Sequence, residues 1–176
     1  FGLHWLTYFM SITLATASIA ALTILTYSVQ YLVLAYLFHK EQVQPVEWLA
    51  IAVCFLGCLV VAPEFSLNND IALGIAVGLV AALLYAALPL LHQRARSIGT
   101  PERTWGQFSF ALLVFLPLWG SANWDLDMDD ISQLLALGLL CTVVSHGLWV
   151  KASTELPALS ASMIYYLYLP GALSGS

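Results

Sequence analysis

Two histidines, His4 and His146, lie well inside apolar stretches of this chain. An ionisable side chain in such a setting is by default a candidate for function. Imidazole can hold a ligand through a ring nitrogen or exchange a proton near neutral pH. The alternative is a neutral ring hydrogen-bonded to a neighbouring helix. A second group of candidates comprises Tyr27, Gln30 and Tyr31 with Tyr165, Tyr166 and Tyr168. Helical spacing puts Tyr27 and Tyr31 on one face, and Tyr165 and Tyr168 approximately on another. These residues would suit an aromatic cavity for amphipathic molecules, and they would equally suit plain helix packing. Trp149 is expected near the mouth of that cavity.

Other chemistry is poorly represented. Asp125, Asp127, Asp129 and Asp130 share the spacing that opens a calcium-binding loop. The sixth place holds Asp130 where glycine is needed, and the twelfth holds Ala136 rather than glutamate. A solvated acidic loop is the better reading. Cys54, Cys58 and Cys141 sit in apolar runs and read as small packing residues. The sequence contains no zinc-protease, serine-hydrolase or nucleotide-binding signature. No enzyme activity, metal or cofactor is therefore expected. Glu41, Glu64 and Glu155 fall at the ends of apolar stretches, so no carboxylate is available well inside one for proton coupling.

These residues are carried by an all-α, polytopic membrane chain. Apolar residues make up 61% of the sequence and charged residues 9%, against about 25% charged in a soluble domain. A bilayer-crossing helix needs about 20 mostly apolar residues. Candidate segments run from Phe1 to Thr13, Thr16 to Phe38, Pro45 to Ala62, Ile71 to His92, Thr104 to Gly120, Ile131 to Ala152, and onward from Pro157. Every lysine and arginine falls on alternate connections: Lys40, then Arg94, Arg96 and Arg103, then Lys151. The other connections carry the acidic residues. That face with the basic residues is expected to be cytoplasmic. Trp48, Trp105, Trp119 and Trp124 lie near span ends, where they would anchor the helices. No basic patch favours nucleic acid.

The chain also resembles itself. The offset that carries His4 onto His146 carries Leu6 onto Leu148, Ser11 onto Ser153, Leu14 onto Leu156 and Ser18 onto Ser160. Each copy reads as a helix end, a short corner and a new helix. The copies begin five spans apart, so they should cross the membrane in opposite senses, as inverted repeats of transporters do. Between them lies a ridge of small residues, Gly74, Gly78, Ala81, Ala82 and Ala86, suited to close helix contact. Such a ridge can serve packing within a chain or a homodimer.

The stretch Leu34 to Glu41, then Trp48 to Val61, then Asp70 to Gly74, and further on Leu137 to Trp149 leading into Lys151 to Pro157 and Pro170, resembles the EamA-type branch of the drug/metabolite transporter superfamily. The resemblance covers nearly the whole chain and rests on helix ends and small residues. It implies ten helices in two inverted five-helix repeats. Residues 1–63 would be the later part of the first repeat, and residues 71–176 a truncated second repeat. It further implies a bacterial inner membrane and a secondary transporter of small organic metabolites or amino acids, often moved outward. Proline is frequent in the family where this chain has Ser28, which leaves the kink of the first copy open. The rival readings are a lipid-linked substrate flippase and a non-transporting membrane scaffold or sensor.

Overall fold

The computed structural model describes residues 1–61 and 69–166. Pro63, Glu64, Tyr168 and Pro170, and the side chains of Cys54 and Cys58, lie outside the described residues. Among the described residues the chain is helical throughout, with no strand. In order, the α-helices are α1 (Gly2–Leu14), α2 (Ala17–Ile24), α3 (Tyr27–His39), α4 (Pro45–Val61) and α5 (Asn69–Arg94). They continue as α6 (Thr100–Phe115), α7 (Met128–Ala136), α8 (His146–Glu155) and α9 (Ala158–Tyr165). A 3₁₀ turn, Leu116–Ser121, extends α6, and a π-helical stretch, Leu137–Ser145, joins α7 to α8.

Each predicted segment is helical where it is described, but three stretches are long and apolar enough to cross a membrane: Ala17–His39, Asp70–Arg94 and Met128–Glu155. Two starts differ from the sequence reading. The helix expected from Thr104 begins at Thr100, because Gly99 caps it and Pro101 fits its first turn. The helix expected from Ile131 begins at Met128, because Asp127 and Asp130 form a reciprocal capping box. That pairing is the structural use of the acidic loop.

The segment from Thr16 to Phe38 is two helices rather than one. At the join, Leu25 N–H donates to Leu22 O at 3.2 Å and Thr26 N–H to Thr23 O at 3.1 Å. These tighter bonds replace the α-helical ladder for one turn. Thr23 and Thr26 also donate their hydroxyls to the carbonyls three residues back, at 2.8 and 2.6 Å, a habit that bends helices. This break in the α-helical ladder therefore forms without proline at position 28. Ser28 is used otherwise: its hydroxyl donates to Ser162 O at 2.9 Å, and Ser162 returns the bond to Ser28 O at 3.4 Å.

The two sequence copies share their breaks. The repeat offset maps the end of α8 to within one residue of the end of α1. It maps both ends of α9 to within one residue of the ends of α2. Like Leu25, Tyr166 closes its helix with a bond to the residue three before it, Tyr166 N–H to Met163 O at 3.1 Å.

The helix α5 is the spine, packed against α1, α2, α3 and α8. Its small-residue ridge makes this contact possible within the chain. A Cβ on Gly74 would stand 2.8 Å from the Cβ of Ala15, and one on Gly78 would collide with Thr23 Oγ1 and lie 2.7 Å from Ser11 Oγ. The closeness lets Ser11 donate to Gly74 O at 2.7 Å. Ala81, Ala82 and Ala86 continue the ridge and are fully buried. Away from the spine, Phe110, Leu112, Leu139 and Leu140 are largely exposed, a surface suited to lipid.

Several basic residues gather at and past the end of α5. His39, Arg94, Arg96 and Thr154 border one hollow there. Arg103 donates to His92 O and to Thr154 Oγ1, both at 2.8 Å, tying α6 to α5 and α8. Glu41, just beyond α3, accepts from Ala158 N–H at the start of α9. That contact gives an acceptor to one of the N–H donors a helix start leaves unpaired, and a favourable charge to its dipole.

Gly78→Val should destabilise the protein by about 1–3 kcal/mol, the usual cost of overpacking. Gly106→Ala, where an added Cβ meets nothing within 4 Å, should be neutral or stabilising by about 0.5–1 kcal/mol. Thermal unfolding of the purified protein in detergent checks both. Equal effects at the two positions would remove the ridge as the basis of packing.

Candidate functional site

Five elements, α1, α5, the π-helical stretch, α8 and α9, enclose a cavity of about 260 Å³, with Ile24 of α2 also on its wall. His4, Tyr85, His146, Trp149 and Tyr165 line it, with Trp5 and Tyr8 on one side and Cys141 and Ser145 on another. The sequence sets this up by periodicity. His4 and Tyr8 are one turn apart on α1, and Cys141, Ser145 and Trp149 follow each other at intervals of four. Helical neighbours at that spacing share a face.

The walls are a continuous set of rings. His4 stacks on Tyr85 with centroids 4.5 Å apart, Tyr85 on Trp149 at 4.8 Å, and Trp149 on His146 at 5.1 Å. Offset stacking of this kind contributes about 0.5–1.5 kcal/mol per pair beyond burial. Tyr85 also meets Tyr27 at 5.1 Å and Tyr165 at 5.6 Å, so it is the hub of the set.

Each histidine is held by one nitrogen. His4, 4% exposed, has Nδ1 2.9 Å from Ala81 O on α5. A carbonyl only accepts, so Nδ1 carries the proton and donates. His146 has Nε2 3.2 Å from Gln107 Oε1 on α6. Gln107 Nε2 lies 2.9 Å from His92 Nε2 and donates to Arg103 O at 3.5 Å. The Arg103 carbonyl fixes which end of the amide carries hydrogens. His146 Nε2 therefore donates to Gln107, and His92 accepts through Nε2. Neighbouring-helix bonding and a place on the cavity wall thus apply together to His4 and His146.

The remaining candidates sit differently. Tyr27 and Tyr31 are fully buried in the core against α5. Tyr31 Oη accepts from Gln93 Nε2 at 3.0 Å, and Gln93 also reaches Ser153 O at 3.3 Å. Tyr27 Oη has no hydrogen-bond partner among the described residues. Gln30 does not reach the cavity: its amide donates to Thr26 Oγ1 at 3.0 Å and to Leu79 O at 3.4 Å, securing α3 to α5. Tyr166 is buried in the core beside Ala158. Cys141, expected as a packing residue, is exposed.

Tyr85, His92, Gln107, Trp5 and Tyr8 were not singled out from the sequence. The repeat offset carries Tyr8 onto Val150, and Tyr85, His92 and Gln107 lie between the two copies, so self-comparison says nothing of them. Gln107 and His92 had a usable signal, since polar side chains inside apolar segments need partners.

A larger groove of about 710 Å³ opens between α1, α6 and the π-helical stretch, lined mainly by Phe1, Trp105, Phe108, Leu112 and Phe115. It is almost wholly apolar, whereas the smaller cavity gathers convergent polar groups. Convergent polar groups in an aromatic setting mark a ligand site better than size does.

A family model described as the EamA-like transporter family matches residues 1–62 and 72–170. The chain belongs to the EamA-like transporter family. Family membership, together with apolar helices long enough to cross a bilayer, makes it a multi-pass membrane protein of a transporter family. No curated protein and no solved structure matches it.

Gln107→Leu would leave His146 and His92 each without a partner. The expected loss of stability is about 1–3 kcal/mol, read as a lowered unfolding midpoint in detergent. An unchanged midpoint would show that the Gln107 bridge contributes nothing.

Proposed function

We propose that this protein is a secondary transporter of small organic metabolites or amino acids, working by alternating access between two inverted repeats. Residues 1–63 belong to the first repeat and residues 71–176 to the second. One observation carries the reading: His4 and His146, equivalent under the internal repeat, line the same cavity. A site built from matching positions in two halves is the arrangement expected at a repeat interface. The shared helix breaks of the two copies and the two separate stretches of the family match support the same division. Tyr165 and Trp149 join the histidines as substrate contacts. Tyr27, Tyr31 and Tyr166 back the cavity from the core.

Cargo is moved without covalent chemistry, and outward movement across a bacterial inner membrane is the direction the family resemblance favours. The end holding Arg94, Arg96 and Arg103 is cytoplasmic by the positive-inside rule. A flippase for lipid-linked cargo would need a polar groove open to the bilayer. The lateral groove here is almost wholly apolar, which counts against that reading.

Overexpression in a bacterial host, with metabolites measured inside and outside the cells, tests the transport reading. The parent protein should export one compound class selectively. A His4→Ala/His146→Ala variant at matched membrane level should lower that flux at least about tenfold, the loss expected when a charged-strength hydrogen bond to cargo disappears. Undiminished flux would remove the histidines from the site. No metabolite change in either direction would favour a scaffold.

Sidedness has its own check. In a cysteine-free background, Asn123→Cys should react with a membrane-impermeant thiol reagent in intact cells. Ser97→Cys should react only after the cells are opened. The reverse pattern would invert the assigned orientation.

A further inference from the structure

Two ring nitrogens on the cavity wall are acceptors. His4 commits Nδ1–H to Ala81 O, which leaves Nε2 of the neutral ring as a lone-pair acceptor with no partner among the described residues. His146 commits Nε2–H to Gln107 Oε1, which leaves its Nδ1 in the same condition. Both rings line the cavity. Each is fixed as an acceptor by a bond made outside it.

The rest of the wall points the same way. Trp5, Tyr8, Tyr85, Trp149 and Tyr165 supply aromatic rings, and a ring face carries partial negative charge that attracts a cation. No lysine or arginine is among the lining residues. A carboxylate placed here would find no cation to neutralise it, whereas an ammonium would find two lone pairs and several ring faces. An alcohol brings one hydrogen, whereas a primary ammonium brings three.

The volume sets a size. At about 260 Å³ the cavity falls just below the range of roughly 300–1,000 Å³ that holds drug-sized ligands. One ring with a short side chain fits that space.

From these observations we infer that the cavity binds a small primary amine, its N–H groups donated to His4 Nε2 and His146 Nδ1 and its ring or chain laid against Tyr85 and Trp149. The inference rests on the transport reading for its biological sense but not for its chemistry. It narrows the cargo to amines without a carboxylate, and it excludes quaternary ammonium compounds, which have charge but no N–H.

The test is direct binding to the full-length protein in nanodiscs, by titration calorimetry and by quenching of tryptophan fluorescence, since Trp5 and Trp149 line the cavity. Four probes share one ring: 2-phenylethylamine, its N,N,N-trimethyl derivative, 2-phenylethanol and phenylalanine. The amine should bind at least about tenfold tighter than each of the other three, the difference that charge-assisted hydrogen bonds produce. Comparable or tighter binding of the trimethyl compound, the alcohol or phenylalanine overturns the inference, and so does no binding by the amine. The probe series needs no substitution, so the result does not depend on a variant folding. His146→Phe, which keeps a ring in the stack, should bring the amine to within about threefold of the trimethyl compound. A full preference surviving in that variant removes His146 from the inference.

Proteoliposome flux of the same probes separates the two readings. Amine binding without flux sustains the inference and counts against transport. Flux of phenylalanine without amine binding does the opposite.

Discussion

Backbone-to-backbone closeness along α5 is the contact on which the rest of this structure depends. In lipid, apolar side chains gain nothing from leaving water, so helices associate through tight packing and hydrogen bonds. Gly74 and Gly78 allow the end of α1 and the end of α2 to lie against α5 at a distance no Cβ would permit. That closeness brings Ser11 within reach of Gly74 O, and about two turns further along it brings His4 within reach of Ala81 O. Both bonds end on carbonyls of a helix already satisfied within itself. They add cross-links without opening the helix they hold. Tyr85 is presented at the next turn, where the ridge ends and the rings begin.

The legible part of this architecture was whatever repeats or punctuates. The corners after Leu14 and near Pro157 are marked by a capping threonine and a proline. The small ridge is marked by glycines four apart, and the histidines by a polar group in an apolar run. The break at Leu25 and Thr26 was not legible, because it goes with a pair of threonine hydroxyls and a local change of hydrogen-bond register rather than a proline. The π-helical stretch from Leu137 to Ser145 was equally hidden. Its residues are apolar on every side, so no periodicity distinguishes a wider turn from an α-helix.

Site residues divided along the same line. His4 and His146 were found because an ionisable residue recurs under the repeat, and Trp149 and Tyr165 because aromatic residues cluster in the same part of the second copy. Tyr85 was overlooked on a helix whose small residues drew the reading. Gln30 was expected at the cavity because glutamine is costly in lipid, and its amide N–H groups are met instead by Thr26 and the Leu79 carbonyl. A polar residue in a span demands a partner, and the sequence does not say whether that partner is a ligand or the next helix.

The two histidines answer that demand in unequal ways, and the inequality bears on how the halves would work. His4 donates to a backbone carbonyl, which can only accept and cannot turn. His146 donates to a side-chain amide, which can turn and present hydrogens in place of its oxygen. If Gln107 reversed, His146 would have to accept and His92 would have to donate, so the three side chains can change roles only together. One copy is thus tied to rigid backbone and the other to a linked polar group directly after a π-helical stretch, a feature that often accompanies functional sites. Alternating access requires an element with two discrete arrangements that the cargo can bias. On the transport reading proposed above, the Gln107 bridge to His146 would be such an element, and the contact of α1 with α5 the fixed surface against which it moves.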